Sequence, residues 1–420
     1  MDVGLRVTRV LWKSSPPTTA VVPACAVMNS PLPARRPPES MTEQRTGAAT
    51  AARRGPANDD PDPPQRRLNE AATVLWRSVD TVQFELGTRR IIVENVGSEQ
   101  LVSLLPRRAK GLGSGAELDP ETPNANEDDL HQLREVLDRS GFLSSERARD
   151  RSTDRAQPLS AYLMPDLAAL AGEFGSESSQ ILRARRETAV AVHGTTRLAV
   201  SVAATLAASG VGWVQLVNGG DVSAADACPG GLTPADEGRR FGVAAADAVR
   251  RAAPDVDTTP IPHDRSADLV ILTDPGPADS AVRSSLHLDG LVHLAVSVIG
   301  LRAVVGPLVR PGVSSCLRCA DLHRSDRDPV WPALAVQLSG SGRRRSASNV
   351  GLCVAAAGLA ATQALAYLDR QWPATIDGTL EWQLPDWRLR RRTWPAHHGC
   401  DCGASAESVR ARQNRNVIFR

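Results

Sequence analysis

The sequence predicts an α/β protein: a mostly parallel sheet flanked by helices, preceded by a small α+β module and closed by a metal knuckle. Three observations carry that prediction. From Thr188 onward, short apolar runs alternate with Ala-rich helical stretches at the spacing of right-handed βαβ units. Ahead of them, three short β-rich runs crowd between residues 70 and 105. Near the end of the chain stand two close cysteine pairs, Cys316 with Cys319 and Cys400 with Cys402.

Composition sets the outer bounds. The 420 residues are 42 % hydrophobic, enough for a sizeable core at a length that allows more than one domain. The 49 basic side chains nearly balance the 47 acidic ones, so charge directs the chain neither to nucleic acid nor to a membrane surface. No uninterrupted run reaches the roughly 18 apolar residues of a membrane helix. The N-terminus lacks the charged-then-apolar pattern of a secretory signal. Seven cysteines are too few for a disulfide scaffold of this size, which points to a reduced, cytoplasmic setting.

The elements follow in order. Residues 1–66 hold 11 of the 30 prolines and show no apolar periodicity, the pattern of a disordered arm. Residues 67–150 read as a winged-helix-like module, with strands at 74–76, 82–86 and 91–93 and turns at Asp80 and Gly87. A helical turn or two is expected at 99–105 and a loop at 110–126. A helix over 128–143 follows, with Leu130, Leu133, Val136 and Leu137 at helical spacing and Ser140-Gly141 ending it early. Residues 151–185 are expected as a linker. The main domain, 186–404, opens with a strand at 189–192 and a helix at 198–208 stopped by Gly210, then a strand at 211–217. A long helix is expected at 234–253, with Pro234 at its start and Pro254 just beyond its end. Strands at 268–273, 293–298 and 301–309, a helix at 349–368 and a final hairpin within 379–394 complete it, leaving 405–420 as a tail.

The cysteine pairs suggest zinc. Each pair places two thiolates on one turn, and four thiolates complete a tetrahedral Zn²⁺ shell. Gly312 precedes the first pair, while Gly399 and Gly403 bracket the second. A CxxC alone can also be a redox pair. This one is expected after a strand and before a polar loop rather than opening a helix, and a redox reading leaves the second pair unused. A structural zinc on Cys316, Cys319, Cys400 and Cys402 is therefore the expectation. His397 and His398 are competing ligands in principle but read as surface residues beside a complete cysteine set.

In this order the motifs resemble the ThiF/MoeB-type, ubiquitin-activating-enzyme-like family. The residues that carry the likeness are the strand Ala189-Val190-Ala191-Val192, the stretch Val217-Asn218-Gly219-Gly220-Asp221-Val222, the stretch Pro234-Ala235-Asp236-Glu237-Gly238-Arg239, the strand ending in Thr273-Asp274, and the cysteine pairs. The resemblance implies a Rossmann-like domain with a nucleotide site around Gly194, Asp221, Arg239 and Asp274, where Asp274 matches the carboxylate that helps hold Mg²⁺ on ATP. The departures are specific. The family's phosphate turn is glycine rich so that backbone can approach phosphates, yet His193-Gly194-Thr195-Thr196-Arg197 keeps one glycine. Asp221 falls one place off the ribose-binding acid, and Arg240 and Phe241 stand where the catalytic lysine should be. These gaps imply a degenerate site for ATP and Mg²⁺, with Asp274 the sole catalytic candidate.

A narrower resemblance is to the leader-peptide-binding cyclodehydratase partner proteins of thiazole/oxazole-modified microcin (TOMM) biosynthesis. It rests on the strands between Val74 and Val93, on Gly230-Gly231-Leu232-Thr233-Pro234-Ala235-Asp236, and on His398-Gly399-Cys400-Asp401-Cys402-Gly403. It implies a peptide leader bound as an added strand, with Arg90, Ile91, Ile92, Val93 and Glu94 as the receiving edge, a separate modifying enzyme as partner, and a homodimer. The plain alternative is an ordinary edge strand guarded by arginines. Two other classes stay open: a working ThiF-type adenylyltransferase that activates a carboxylate with ATP, and a winged-helix nucleic-acid-binding regulator. Against the regulator, the expected helix carries Glu127, Asp128, Asp129, Glu135 and Asp138 against Arg134 and Arg139, the wrong sign for phosphates.

Overall fold

The computed structural model describes residues 6–11, 66–96, 127–145 and 159–404, except positions 70, 88, 218, 275–279 and 341–346. The chain divides into two compact units, Met1–Arg151 and Ser152–Arg420.

The first unit contains β1 (Arg6–Leu11), β2 (Arg66–Leu68), β3 (Thr73–Trp76), β4 (Thr81–Leu86), β5 (Arg89–Glu94), α1 (Glu127–Arg139) and β6 (Leu143–Ser145). An antiparallel sheet runs β1-β5-β4-β3, and β2 pairs with β6. Period-two alternation sends Val82, Phe84 and Leu86 of β4 and Ile91 and Val93 of β5 into one core, where Leu133 and Leu137 of α1 and Phe142 meet them. The Phe84 and Phe142 rings pack edge to face at 6.2 Å. Ser140 and Gly141 end α1 as the sequence predicts: Gly141 is left-handed at φ 75, and the Phe142 N–H returns to the Leu137 carbonyl at 2.8 Å. Three strands were not foreseen: the short pair β2 and β6, and β1. Within the Pro-rich arm, Arg6–Leu11 forms β1 and pairs antiparallel along the whole of β5. The expectations at 99–105 and 110–126 lie outside the described residues.

The second unit holds α2 (Met164–Phe174), α3 (Ser178–Arg186), β7 (Ala189–His193), α4 (Arg197–Ala208), β8 (Trp213–Val217), α5 (Phe241–Ala252), β9 (Leu269–Leu272), α6 (Ser280–Leu288), β10 (His293–Ile299), β11 (Arg302–Val309), α7 (Leu317–Ser325), α8 (Trp331–Gly340), α9 (Val350–Leu368), β12 (Gly378–Gln383) and β13 (Leu389–Thr393). The seven-stranded sheet is ordered β13-β12-β11-β10-β9-β7-β8. The strands β8, β7, β9 and β10 run parallel, and β11, β12 and β13 extend the sheet antiparallel. Buried alanines of α4 and α9, among them Ala199, Ala203, Ala357 and Ala360, join Val190, Ile271, Leu294 and Val305 of the sheet in the main core. By length and composition α9 could cross a membrane. Its buried side, Leu352, Ala356, Ala360 and Ala364, lies in that core and accounts for its apolarity.

Three expectations give way here. Residues 151–185, read as a linker, contain α2 and α3, with Leu163, Ala171 and Leu182 buried. The helix expected over 234–253 is broken. Pro234–Asp236 forms a 3-10 turn closed by the Asp236 carboxylate, which accepts the Thr233 N–H at 2.9 Å, and Gly238 at φ 80 redirects the chain. Gly238 and Arg239 then bond to Val222 through their main chains instead of continuing a helix, so α5 starts only at Phe241. Finally, the polar stretch after the CxxC is α7 rather than a loop.

Candidate functional site

The four cysteines converge. Cys316 is the N-cap of α7 and Cys319 lies in its first turn, while Cys400 and Cys402 arrive on the segment after β13. The Cys316 sulfur is 3.8 Å from that of Cys319 and 3.6 Å from that of Cys400, and Cys319 is 3.6 Å from Cys402. All four sulfurs fall within 4.8 Å of one another. A tetrahedral zinc with bonds of about 2.3 Å sets its sulfurs about 3.8 Å apart, so the donor set fits that ion. Without a cation the group cannot hold four negative charges. The Cys316–Cys319 hydrogen bond pulls Cys319 down to about 4 and pushes Cys316 well above the thiol range, and burial pushes Cys400 up to about 11. A bound dication would favour the thiolate form of all four.

The flanks of the CxxC differ from expectation, because Cys316 opens a helix. That position is one where redox dithiols also occur. What favours a metal is the arrival of the second pair. His397 is also corrected: it is 7 % exposed, not a surface residue. Its Nδ1 accepts the Gly399 N–H at 3.0 Å, which leaves the proton on Nε2 to be donated to Asp326 at 2.9 Å. Its backbone N–H bonds the Cys319 sulfur. With His323 it forms a second cluster, His323, Asp326 and His397, whose ring nitrogens and carboxylate lie within 4.8 Å. Sequence reasoning missed this group because Asp326 and His397 are 71 residues apart and neither belongs to a spaced motif.

Two of the four nucleotide candidates, Gly194 and Asp274, lie at the switch of the parallel sheet. β7 pairs with β8 on one side and β9 on the other, so strand order reverses about it. In such sheets the ligand crevice opens beyond the carboxyl ends of the strands at that point. Gly194 follows β7, and Thr273-Asp274 follows β9. The structure brings these together: a Cβ on Gly194 would stand 2.4 Å from Thr273 Oγ1 and 2.8 Å from Asp274 Oδ1. Thr273 Oγ1 donates to the His193 carbonyl at 2.8 Å, and Thr196 Oγ1 to the Thr273 carbonyl at 3.3 Å. Arg197, at the start of α4, donates to the carbonyls of Ala227 at 2.9 Å and Ser348 at 3.2 Å. Burial lowers the His193 pKa, with the Asp274 charge opposing.

Asp221 and Arg239 are engaged elsewhere. Arg239 is clamped between Asp236, at 2.7 Å, and Asp247. Asp221 lies 3.3 Å from Arg240 on the surface. The expected peptide edge, Arg90 to Glu94, is β5, and Arg90 is held by Glu85 at 2.7 Å. That edge is not open, since β1 covers its full length from Leu11 opposite Arg89 to Arg6 opposite Glu94. Backbone pairing by the arm was invisible in a stretch whose prolines dominate its composition.

The architecture is an α/β sheet with a topological switch point, carried together with a four-cysteine cluster. No protein-family description and no curated protein matches the chain in sequence. Solved structures do match in fold. E. coli MccB with succinimide superposes with a TM-score of 0.57 at 14 % identity, over 80 % of this chain and 98 % of MccB. E. coli MccB with ATP gives 0.57 at 13 %, over 81 % and 99 %. The microcin C7 biosynthetic enzyme MccB in complex with N-formylated MccA gives the same values. At such identities the likeness is one of fold.

Proposed function

We propose that this chain is a zinc-bearing, ThiF-like scaffold that binds a peptide leader through its first unit and supports the peptide's modification by a separate cyclodehydratase, with a crevice that no longer serves ATP. The observation that carries the reading is the fate of the space beside Gly194. Gly194 is packed against Thr273 Oγ1 and Asp274 Oδ1, and the branched side chains of Thr195 and Thr196 follow it where a phosphate turn carries glycines. Arg239 is held by two carboxylates, and the two Nη groups of Arg197 donate to carbonyls. Charge neutralisation of a triphosphate needs several such groups acting together.

The zinc would be held by Cys316, Cys319, Cys400 and Cys402, and its chemistry is structural: it ties the start of α7 to the segment after β13. Reduced thiolates suit the cytoplasm. The peptide reading draws on the shared fold with MccB, which has been seen with the MccA peptide. A homodimer is supported by apolar side chains left exposed around α8, Val330, Leu334, Val336 and Leu338. The test is a paired measurement on purified protein: metal content by mass spectrometry and ATP–Mg²⁺ titration by calorimetry. One zinc per chain and no nucleotide heat is the expected result. A second reading, an active adenylyltransferase, is favoured by the place of Asp274 at the switch point. Tight ATP binding that Asp274→Ala abolishes would establish it in place of the scaffold.

A further inference from the structure

The edge assigned to an incoming peptide already has an occupant, and the occupant belongs to the chain itself. β1 pairs with β5 in unbroken antiparallel register: Arg6 opposite Glu94, Val7 opposite Val93, Thr8 opposite Ile92, Arg9 opposite Ile91, Val10 opposite Arg90 and Leu11 opposite Arg89. Every one of the five residues expected to receive a peptide is therefore matched by a residue of the arm. Edge protection does not explain the arrangement. Proteins blunt an edge with charges, prolines, bulges or a covering helix, whereas β1 is itself a strand at the end of the order β1-β5-β4-β3 and only moves the edge outward.

We infer that Arg6–Leu11 is a tethered stand-in for the peptide ligand, seated by β-augmentation and displaced when a peptide binds in trans. The inference rests on the peptide-binding reading above and deepens it in two ways. The first concerns the ligand class. What the edge accepts is an extended segment with no proline, in which basic and β-branched residues mix, as in Arg6-Val7-Thr8-Arg9-Val10-Leu11. Main-chain bonds supply affinity in this mode, and alternate side chains supply choice. The second concerns control. Residues 12–65 tether the stand-in to β2, so it competes at a fixed effective concentration however dilute the protein is. An external peptide must outcompete it, and apparent affinity falls by the fraction of chains whose edge is closed.

The test uses the full chain and a full-length Thr8→Pro/Arg9→Pro variant. Neighbouring strand residues point their N–H groups to opposite sides, so two adjacent prolines remove the donor that faces β5 whichever residue carries it. The probe is a fluorescent synthetic peptide of residues 1–15, read by polarisation, with hydrogen exchange of the Arg89–Glu94 amides measured in parallel. Those amides of β5 that face β1 should exchange at least about tenfold faster in the variant. The probe should bind the variant at least about tenfold more tightly than the unaltered chain and restore protection. Unchanged exchange in the variant would overturn the stand-in while leaving peptide recognition untouched. Exposed amides with no probe binding would overturn both the stand-in and this edge as a peptide site. Amides at 133–137 in α1 report that the unit stays folded.

Discussion

Gly194 and Thr273 are packed so closely that the glycine has no room for a side chain: a methyl group there would meet Thr273 Oγ1 at 2.4 Å. The backbone adds a second constraint, since Gly194 lies at φ 119, where an L side chain is strained. Gly194→Ala should therefore destabilise the second unit by about 1–3 kcal/mol, read as a lower melting temperature. Removing the hydroxyl as well, in Gly194→Ala/Thr273→Ala, should recover part of the loss, with the contact to Asp274 and the strained φ accounting for the remainder. A glycine kept for nucleotide approach would behave differently, with ATP binding lost and stability nearly unchanged.

The cysteine cluster predicts metal-dependent stability. Cys402→Ala leaves three sulfurs where four are needed, and zinc content should fall from one per chain towards none, with a clear drop in melting temperature. His397→Ala tests the brace without touching a sulfur. Its ring ties Gly399 to Asp326, and its main chain bonds Cys319. Loss of such an outer partner weakens metal affinity by about 10–100-fold. Chelator competition should therefore strip the His397→Ala variant at lower chelator concentrations than the unaltered protein. Equal resistance would assign the His397 ring a packing role alone.

How far the sequence could be read depended on the range of the signal. The βαβ run was legible because each strand and helix carries its own period, and the cysteines because their spacing is itself a motif. The helix at 234–253 was misjudged because Thr233-Pro234 and Asp236 look like a helix start. They do cap a turn, but one that Gly238 ends at once. α2 and α3 were hidden by their charged flanks, and Leu163 just before α2 and Leu182 of α3 are both packed near Gly210, distant from them in sequence. The occupied edge of β5 and the His397–Asp326 pair share that cause: both join segments far apart along the chain, and neither leaves a local trace.

His293 gives a pH dependence with a definite sign. It is buried in β10, with Nδ1 2.9 Å from the Leu291 carbonyl. Burial pushes its pKa below the usual 6.5, with the Leu291 carbonyl opposing. Between the folded value and 6.5 the unfolded chain holds more protons. The contribution to stability is thus complete above about pH 6.5 and is lost as pH falls through the folded value. His293→Asn keeps a donor but cannot titrate. The melting temperature of the unaltered protein should fall more steeply from pH 7 to 5.5 than that of the variant, and parallel curves would exclude His293 as the source.

The exposed apolar side chains of α8 predict self-association. Val336 is 72 % exposed, and Leu334 and Leu338 flank it on the same short helix. A charge placed at Val336 costs little in a monomer, because the site already faces water, but would be desolvated and unpaired in an interface. Val336→Glu should convert a dimer to a monomer in sedimentation velocity while leaving the melting temperature of the dilute protein close to its original value. A monomeric unaltered protein would remove this helix as an interface.

Arg185 and Asp369 test how the helices before β7 are joined to the core. The guanidinium of Arg185, near the end of α3, bonds both carboxylate oxygens of Asp369 at 2.9 and 2.7 Å, and its third contact is the Ser209 carbonyl at 2.9 Å. Only 6 % and 4 % of the two side chains are exposed, so neither charge could be solvated alone. Breaking such a pair from one side costs about 3–5 kcal/mol, because it strands a buried charge. Replacing both partners by apolar groups of similar volume removes that penalty. Asp369→Leu should therefore destabilise strongly, and Arg185→Met/Asp369→Leu should recover most of the loss in chemical denaturation, less the bond to Ser209. If the double variant is as unstable as the single one, the pair holds α3 by its specific geometry, and the buried charge is not the source of the cost.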